Sequence, residues 1–131
     1  MPRKLPALNA DNRAFWQGGK SDALLMHYCH SCTRFFHPPG PVCPNCASFD
    51  VNPRRVSGRG KVASFTINHQ PWVPELNEPF VIAIVELEEQ AGLRFVTNIE
   101  DLAVEDVFIG MPVRVRFRQE DDVWLPLFIK E

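Results

Sequence analysis

A mainly β fold is predicted, in the order short N-terminal helix, metal-held ribbon and five-stranded barrel. Three features of the 131-residue sequence carry it. Four cysteines stand in two Cys-x-x-Cys pairs, Cys29/Cys32 and Cys43/Cys46, with ten residues between the pairs. Beyond residue 58 the apolar residues alternate with the period of two that half-buried strands show. Twelve prolines favour short strands and turns over long helices.

Residues 9–18 read as the helix. Asn9 or Asp11 offers a cap, Phe15 and Trp16 give an apolar face, and Gly18-Gly19 gives a stop. That aromatic pair either packs back on the domain or docks a partner. Residues 1–22 are taken as the N-terminal helical segment, 23–53 as the ribbon and 54–131 as the barrel.

Each Cys-x-x-Cys lets two thiolates point from one tight turn to a common centre, and a short hairpin brings the second pair opposite the first. Zinc closes such a tetrahedron at Zn–S distances of about 2.3 Å. Four protein ligands leave no open position for water, so the ion is structural. Its binding is worth about 10–16 kcal/mol to folding, more than so short a hairpin gains by burial. Iron suits the same four thiolates and is the alternative ion. Disulfides fit a reducing compartment poorly, and a redox Cys-x-x-Cys stands alone in a βαβ setting. Thr33 and Ala47 follow the second cysteine of each pair, where ribbon turns favour a left-handed glycine. His27 and His30 are nearby substitute ligands that a full set of cysteines does not need. Phe35 and Phe36, before His37-Pro38-Pro39, are read as a hairpin arm whose aromatics pack on the neighbouring module.

The barrel strands are read in turn. After the breaker Gly58-Arg59-Gly60, residues 61–69 alternate Val62, Ser64 and Thr66 against Ala63, Phe65 and Ile67. A loop rich in Pro and Trp spans 70–79, and 80–87 form a nearly continuous apolar strand. Gln90-Ala91-Gly92 turns the chain into 93–99. Residues 100–108 are a connector with about one helical turn. Val113, Val115 and Phe117 alternate with Arg114, Arg116 and Arg118, and an acidic turn at 119–122 leads to the last strand, 123–129. A three-stranded meander, a longer connector and a hairpin fit an OB barrel, with an SH3-like barrel as runner-up.

Length allows one domain, or one domain with a small module, around one modest core. Met1-Pro2-Arg3-Lys4-Leu5-Pro6 is basic but no apolar run of export-signal length follows, and no stretch approaches bilayer-spanning length. The chain is therefore expected in the cytoplasm. Charge is split: residues 1–61 hold nine Lys/Arg against three Asp/Glu, and 62–131 hold five against thirteen. Such a split favours oriented docking. No phosphate loop, nucleophile elbow or zinc-protease helix occurs. Glu86, Glu88 and Glu89 read as a solvated face beside a turn, and His69 is a lone histidine, so an enzyme gains little support.

The segment 11–16, the ribbon, Gly58-x-Gly60, Pro79-Phe80-Val81-Ile82-Ala83, Val85-Glu86-Leu87, Thr97-Asn98 and Ile109-Gly110-Met111-x-Val113 together resemble one family. It is the OB-fold family with an N-terminal rubredoxin-like zinc ribbon, long catalogued as a domain of unknown function numbered thirty-five. The likeness runs from about residue 9 to Phe128. It implies an accessory subunit of a thiolase-like acyl-CoA enzyme that bridges partners or helps hold a CoA thioester, with the chemistry in the partner. Only Cys29, Cys32, Cys43 and Cys46 carry over as family site residues. CoA phosphates need cations, and Arg54, Arg55, Arg59 and Lys61 fall where ribbon meets barrel. The alternative is a single-stranded nucleic-acid binder. It needs a basic groove and stacking aromatics, against which the acidic barrel half speaks.

Overall fold

The computed structural model describes residues 4–75 and 77–131, so the basic start at residues 1–3 lies outside the described residues. Helix α1 spans Arg13–Gln17 and runs into a 3-10 turn at Gly18–Ser21. The ribbon sheet follows as β1 Leu24–Cys29, β2 Arg34–Phe36 and β3 Val51–Val56, and the barrel as β4 Arg59–Asn68, β5 Phe80–Leu87, β6 Arg94–Glu100, β7 Pro112–Glu120 and β8 Val123–Lys130. A 3-10 turn at Val104–Asp106 lies in the β6–β7 connector.

The helix is shorter than expected, and its glycines do not stop it. Asn9 rather than Asp11 organises its entry: the Asn9 Oδ1 accepts the N–H groups of Asp11 and Asn12, both at 2.9 Å, while Asn12 Oδ1 accepts the Asn9 N–H at 2.8 Å. This reciprocal pair works as a capping box. Gly18 and Gly19 are demanded by close approach, since a Cβ on Gly19 would lie 2.5 Å from Trp124 Cβ and one on Gly18 2.3 Å from the Ala23 carbonyl. The chain reverses at left-handed Asp22.

The ribbon sheet has the order β2-β1-β3, both pairs antiparallel. Strand β3 stays paired with β1 as far as Val56 opposite Leu24, so the expected boundary between residues 53 and 54 falls inside a strand. The remaining strands close a barrel in the order β4-β5-β6-β8-β7, with β6 and β8 parallel through Ile99/Phe128 and Glu100/Ile129. That is the OB arrangement. One strand departs from simple alternation. A register shift between Val62 and Ser64 turns Val62 inward together with Phe65 and Ile67, where strict alternation would have set Val62 with Ser64 and Thr66. The barrel core gathers Val62, Val81, Val85, Leu87, Met111 and Phe128, and the ribbon adds Leu24, Met26 and Val56 to it.

Candidate metal centre and the surfaces around it

Strand β1 ends on Cys29, and the turn after it returns Cys32. The second turn carries Cys43 and Cys46, with Ala47 N–H donating to the Cys43 carbonyl at 2.9 Å. The four Sγ atoms all lie within 4.8 Å of one another. Cys29 Sγ stands 3.6 Å from Cys46 Sγ and Cys32 Sγ 3.7 Å from Cys43 Sγ. A disulfide would need about 2.05 Å. A tetrahedron with metal–sulfur bonds of about 2.3 Å has edges near 3.8 Å, so the donors fit a thiolate-bound ion. Thr33 and Ala47 do adopt the left-handed backbone, at φ 55° and 63°.

The electrostatics make the same demand. The Cys32 backbone N–H favours the thiolate of Cys29 and pulls its pKa down to about 6. The Ser48 N–H favours the ionised form of Cys46, but burial, and after it competition for protons among the four close thiols, pushes it up to about 12. A dication at the centre removes that competition. Neither histidine joins the donor set. His27 is buried with its ring against Phe36, 5.6 Å between centroids, and burial lowers its pKa. His30 Nε2 lies 2.7 Å from Asn52 Oδ1.

The four cations expected at the ribbon–barrel junction do not form one cluster. Arg54 lies over the Tyr28 ring at 4.5 Å, and Arg55, next along the strand, donates to the Asp22 carbonyl at 3.3 Å. Arg59 and Lys61 edge a separate cavity of about 540 Å³ that also holds Glu86, Glu88 and Glu131, and Arg59 Nε is 3.7 Å from Glu131. Phe15 is 4% exposed and packs within the barrel core, the first of the two uses expected of it. Trp16 is partly buried between that core and a small cluster formed by Val123, Leu125 and Leu127.

Two of the barrel's arginines are spent internally. Arg116 pairs with Asp101 and with Glu100 at 3.2 Å, and Arg118 with Glu100 at 3.1 Å. The cleft above them, about 470 Å³, is edged by Glu75, Glu78, Glu100 and Glu120, with Arg118 the one cation on its wall among the described residues. Such a wall repels phosphate at the surface where OB barrels hold single strands. Glu86 accepts from Arg94 at 2.7 Å, which holds its carboxyl below the usual range, and Glu89 accepts the Ser57 N–H. Both carboxylates serve structural contacts.

Two residues went unread in the sequence. Gln90 clamps the ribbon to the barrel: its Nε2 donates to the Phe35 carbonyl at 3.0 Å, and its Oε1 accepts the Phe35 N–H at 2.9 Å. Strand β2 is an edge strand, and Gln90 stands in for its missing neighbour. His37 is packed between Phe15 and Phe95, with centroids at 4.8 and 5.6 Å, and burial pushes its pKa down to about 4. No spacing rule marks either residue.

A closed four-thiolate ribbon seated on an OB barrel is thus the class of protein these residues build. Two family models match consecutive stretches: the rubredoxin-like zinc ribbon domain of ChsH2 over residues 16–52 and the C-terminal OB-fold domain of ChsH2 over residues 53–118. The chain belongs to this family, that of the DUF35 proteins. It is 39% identical over 127 residues to a probable enoyl-CoA hydratase alpha subunit of Thermomonospora curvata, covering 96% of this chain but only 39% of that protein. It is also 39% identical over 98 residues to a DUF35 domain-containing scaffold protein of Methanocaldococcus jannaschii, covering 73% of this chain and 68% of that one. A chain of the solved Ltp2-ChsH2(DUF35) aldolase superposes with a TM-score of 0.85 at 38% identity, covering 96% of this chain and 98% of that one. Among the described residues no helix is long and apolar enough to cross a membrane.

Proposed function

We propose that this chain is a non-catalytic accessory subunit of an acyl-CoA enzyme complex, with one structural zinc in its ribbon and a thiolase-like or hydratase-like enzyme as partner. The observation that carries the reading is the likeness, over nearly the full length of both chains, to a chain of an aldolase complex. The hydratase subunit and the scaffold protein point the same way. The site chemistry agrees. A metal held by four protein sulfurs is closed to substrate, and the conspicuous carboxylates Glu86 and Glu89 are engaged in structural contacts. The chain's contribution is then to bind and orient, while the reacting groups belong to the partner.

A tagged pull-down at low salt, with and without nuclease, tests this by mass spectrometry of the retained proteins. An acyl-CoA enzyme retained after nuclease is expected, together with about one zinc per chain by elemental analysis. Nucleic acid as the main companion, with no acyl-CoA enzyme, would overturn the reading. Iron at the same stoichiometry would overturn the zinc assignment alone.

A further inference from the structure

The ribbon sheet has one face that changes character along its length. Near the barrel Leu24, Met26 and Val56 bury it in the core. Two residues further out, Tyr28 stands in register between Phe35 and Asn52, half-buried, with His30 exposed beyond it. The Tyr28 and Phe35 rings are 4.9 Å apart and those of Tyr28 and His30 5.2 Å apart, so this outer half is an aromatic surface with ordered rings.

Arg54 lies on that surface. Its guanidinium is fixed over Tyr28, yet among the described residues no carboxylate reaches it, nor Arg34 or Arg55 of the same ribbon. Most barrel arginines differ: Arg59 and Arg94 each hold a carboxylate, and Arg116 and Arg118 share Glu100, with Arg114 the exception among the described residues. A stacked guanidinium keeps its donor fork pre-organised for a bidentate acceptor. At the ribbon tip Phe49 is 80% exposed, the most exposed large apolar residue described. An exposed aromatic surface under an unsaturated arginine, Arg54 over Tyr28, has the composition of an interface centre.

We infer that the outer half of this ribbon face, centred on Arg54 and Tyr28, docks an acidic surface of a partner protein. Charge selects the occupant. The ribbon from 23 to 56 carries three arginines against Asp50, while 62–131 carry the eight-charge acidic excess. That dipole steers an acidic surface to the ribbon and away from the barrel. A phosphate-rich ligand fits less well. Arg55 projects to the opposite side of the strand, and Arg59 and Lys61 lie among carboxylates, so among the described residues Arg54 has no second cation with which to cradle a nucleotide.

The inference rests on the proposed function only for the partner used, the enzyme retained in the pull-down. Hydrogen exchange of that complex is expected to protect 28–35 and 49–55 and to leave the cleft at 75–80 and 118–120 unprotected. Arg54→Glu should weaken binding about tenfold or more at low salt, and Arg55→Glu, on the other face, little. Unchanged metal content and barrel circular dichroism show that each variant is folded. Protection confined to the barrel, equal losses from Arg54→Glu and Arg55→Glu, or displacement of the partner by CoA or oligonucleotide would overturn the inference, as would a pull-down that retains no protein. A retained protein that is no acyl-CoA enzyme but protects the ribbon would sink the proposed function and keep the docking surface.

Discussion

The ribbon and the barrel are held by different means. In the barrel, strands from five places in the sequence bury a continuous cluster that includes Val62, Val85, Leu87, Met111 and Phe128. The outer ribbon has only Cys29, Phe36 and Cys43 buried together, with Cys32 and Val51 against them. At about 25 cal/mol per Å², so small a cluster does not offset the conformational entropy of ordering two loops. A metal has to supply the difference. The base of the ribbon is another matter, because Leu24, Met26 and Val56 belong to the barrel's own core. Energetically the border therefore crosses β1 and β3 halfway along, and not at the junction in sequence.

The harshest test of that border is removal of the ion. A chelator strong enough to strip four thiolates, or Cys43→Ser, should unfold the outer ribbon, since a site of this kind contributes about 10 kcal/mol or more. Hydrogen exchange should then rise across 29–50 while β5, β7 and β8 stay protected. Collapse of the whole chain on chelation would show that the barrel cannot stand without the ribbon. The next largest effects fall on β1. Met26→Ala, at a site 1% exposed, should cost about 2–5 kcal/mol in denaturant unfolding. Tyr28→Ala, one step outward on the same face, should cost well under half of that. Equal costs would erase the border.

How much of this was legible in the sequence follows the same division. Local chemistry reads well. Two Cys-x-x-Cys pairs announce a metal because the spacing is itself the geometry, and Thr33 and Ala47 sit left-handed where the turn requires it. The barrel strands read well because their inward residues repeat every second position. What failed to read is contact between segments distant in sequence. Gly19 looks like part of a helix stop and is instead a close approach to Trp124 across the fold. Phe15 can pack back or dock a partner by its sequence, and it is core. The cations 54, 55, 59 and 61 are neighbours in sequence, but strand alternation and the turn at Gly58, φ 80°, send them to separate surfaces.

His37 ties ribbon to barrel and gives the contact a pH dependence. Its imidazole, held between Phe15 and Phe95, is pushed down to about 4 by burial, against an ordinary value of 6.5. The unfolded chain therefore binds a proton more readily than the folded one between those values, and stability falls as pH drops from about 6.5 to about 4. The loss is on the order of 2–3 kcal/mol for this one group, at about 1.36 kcal/mol per pH unit. Comparing unfolding of the wild type with His37→Phe at several pH values isolates it from proton competition at the cysteines. The two curves should diverge below pH 6.5, and parallel curves would remove His37 from the account.

The smallest effect concerns the second tie. Gln90 satisfies both backbone groups of Phe35 on the open edge of β2, and those groups are partly buried, so their loss costs more than a surface hydrogen bond. Gln90→Ala is expected to cost about 1–2 kcal/mol, and its signature is local. Exchange at Phe35 should speed up while β5 and β8 are unaffected. Gln90→Glu provides the sharper comparison. A carboxylate still accepts the Phe35 N–H but has no donor for the Phe35 carbonyl, so this near-isosteric change should cost nearly as much as truncation. If Gln90→Glu is silent, the clamp rests on the one bond to the N–H, and the orientation of the ribbon on the barrel is set by Phe15, His37 and Phe95 instead.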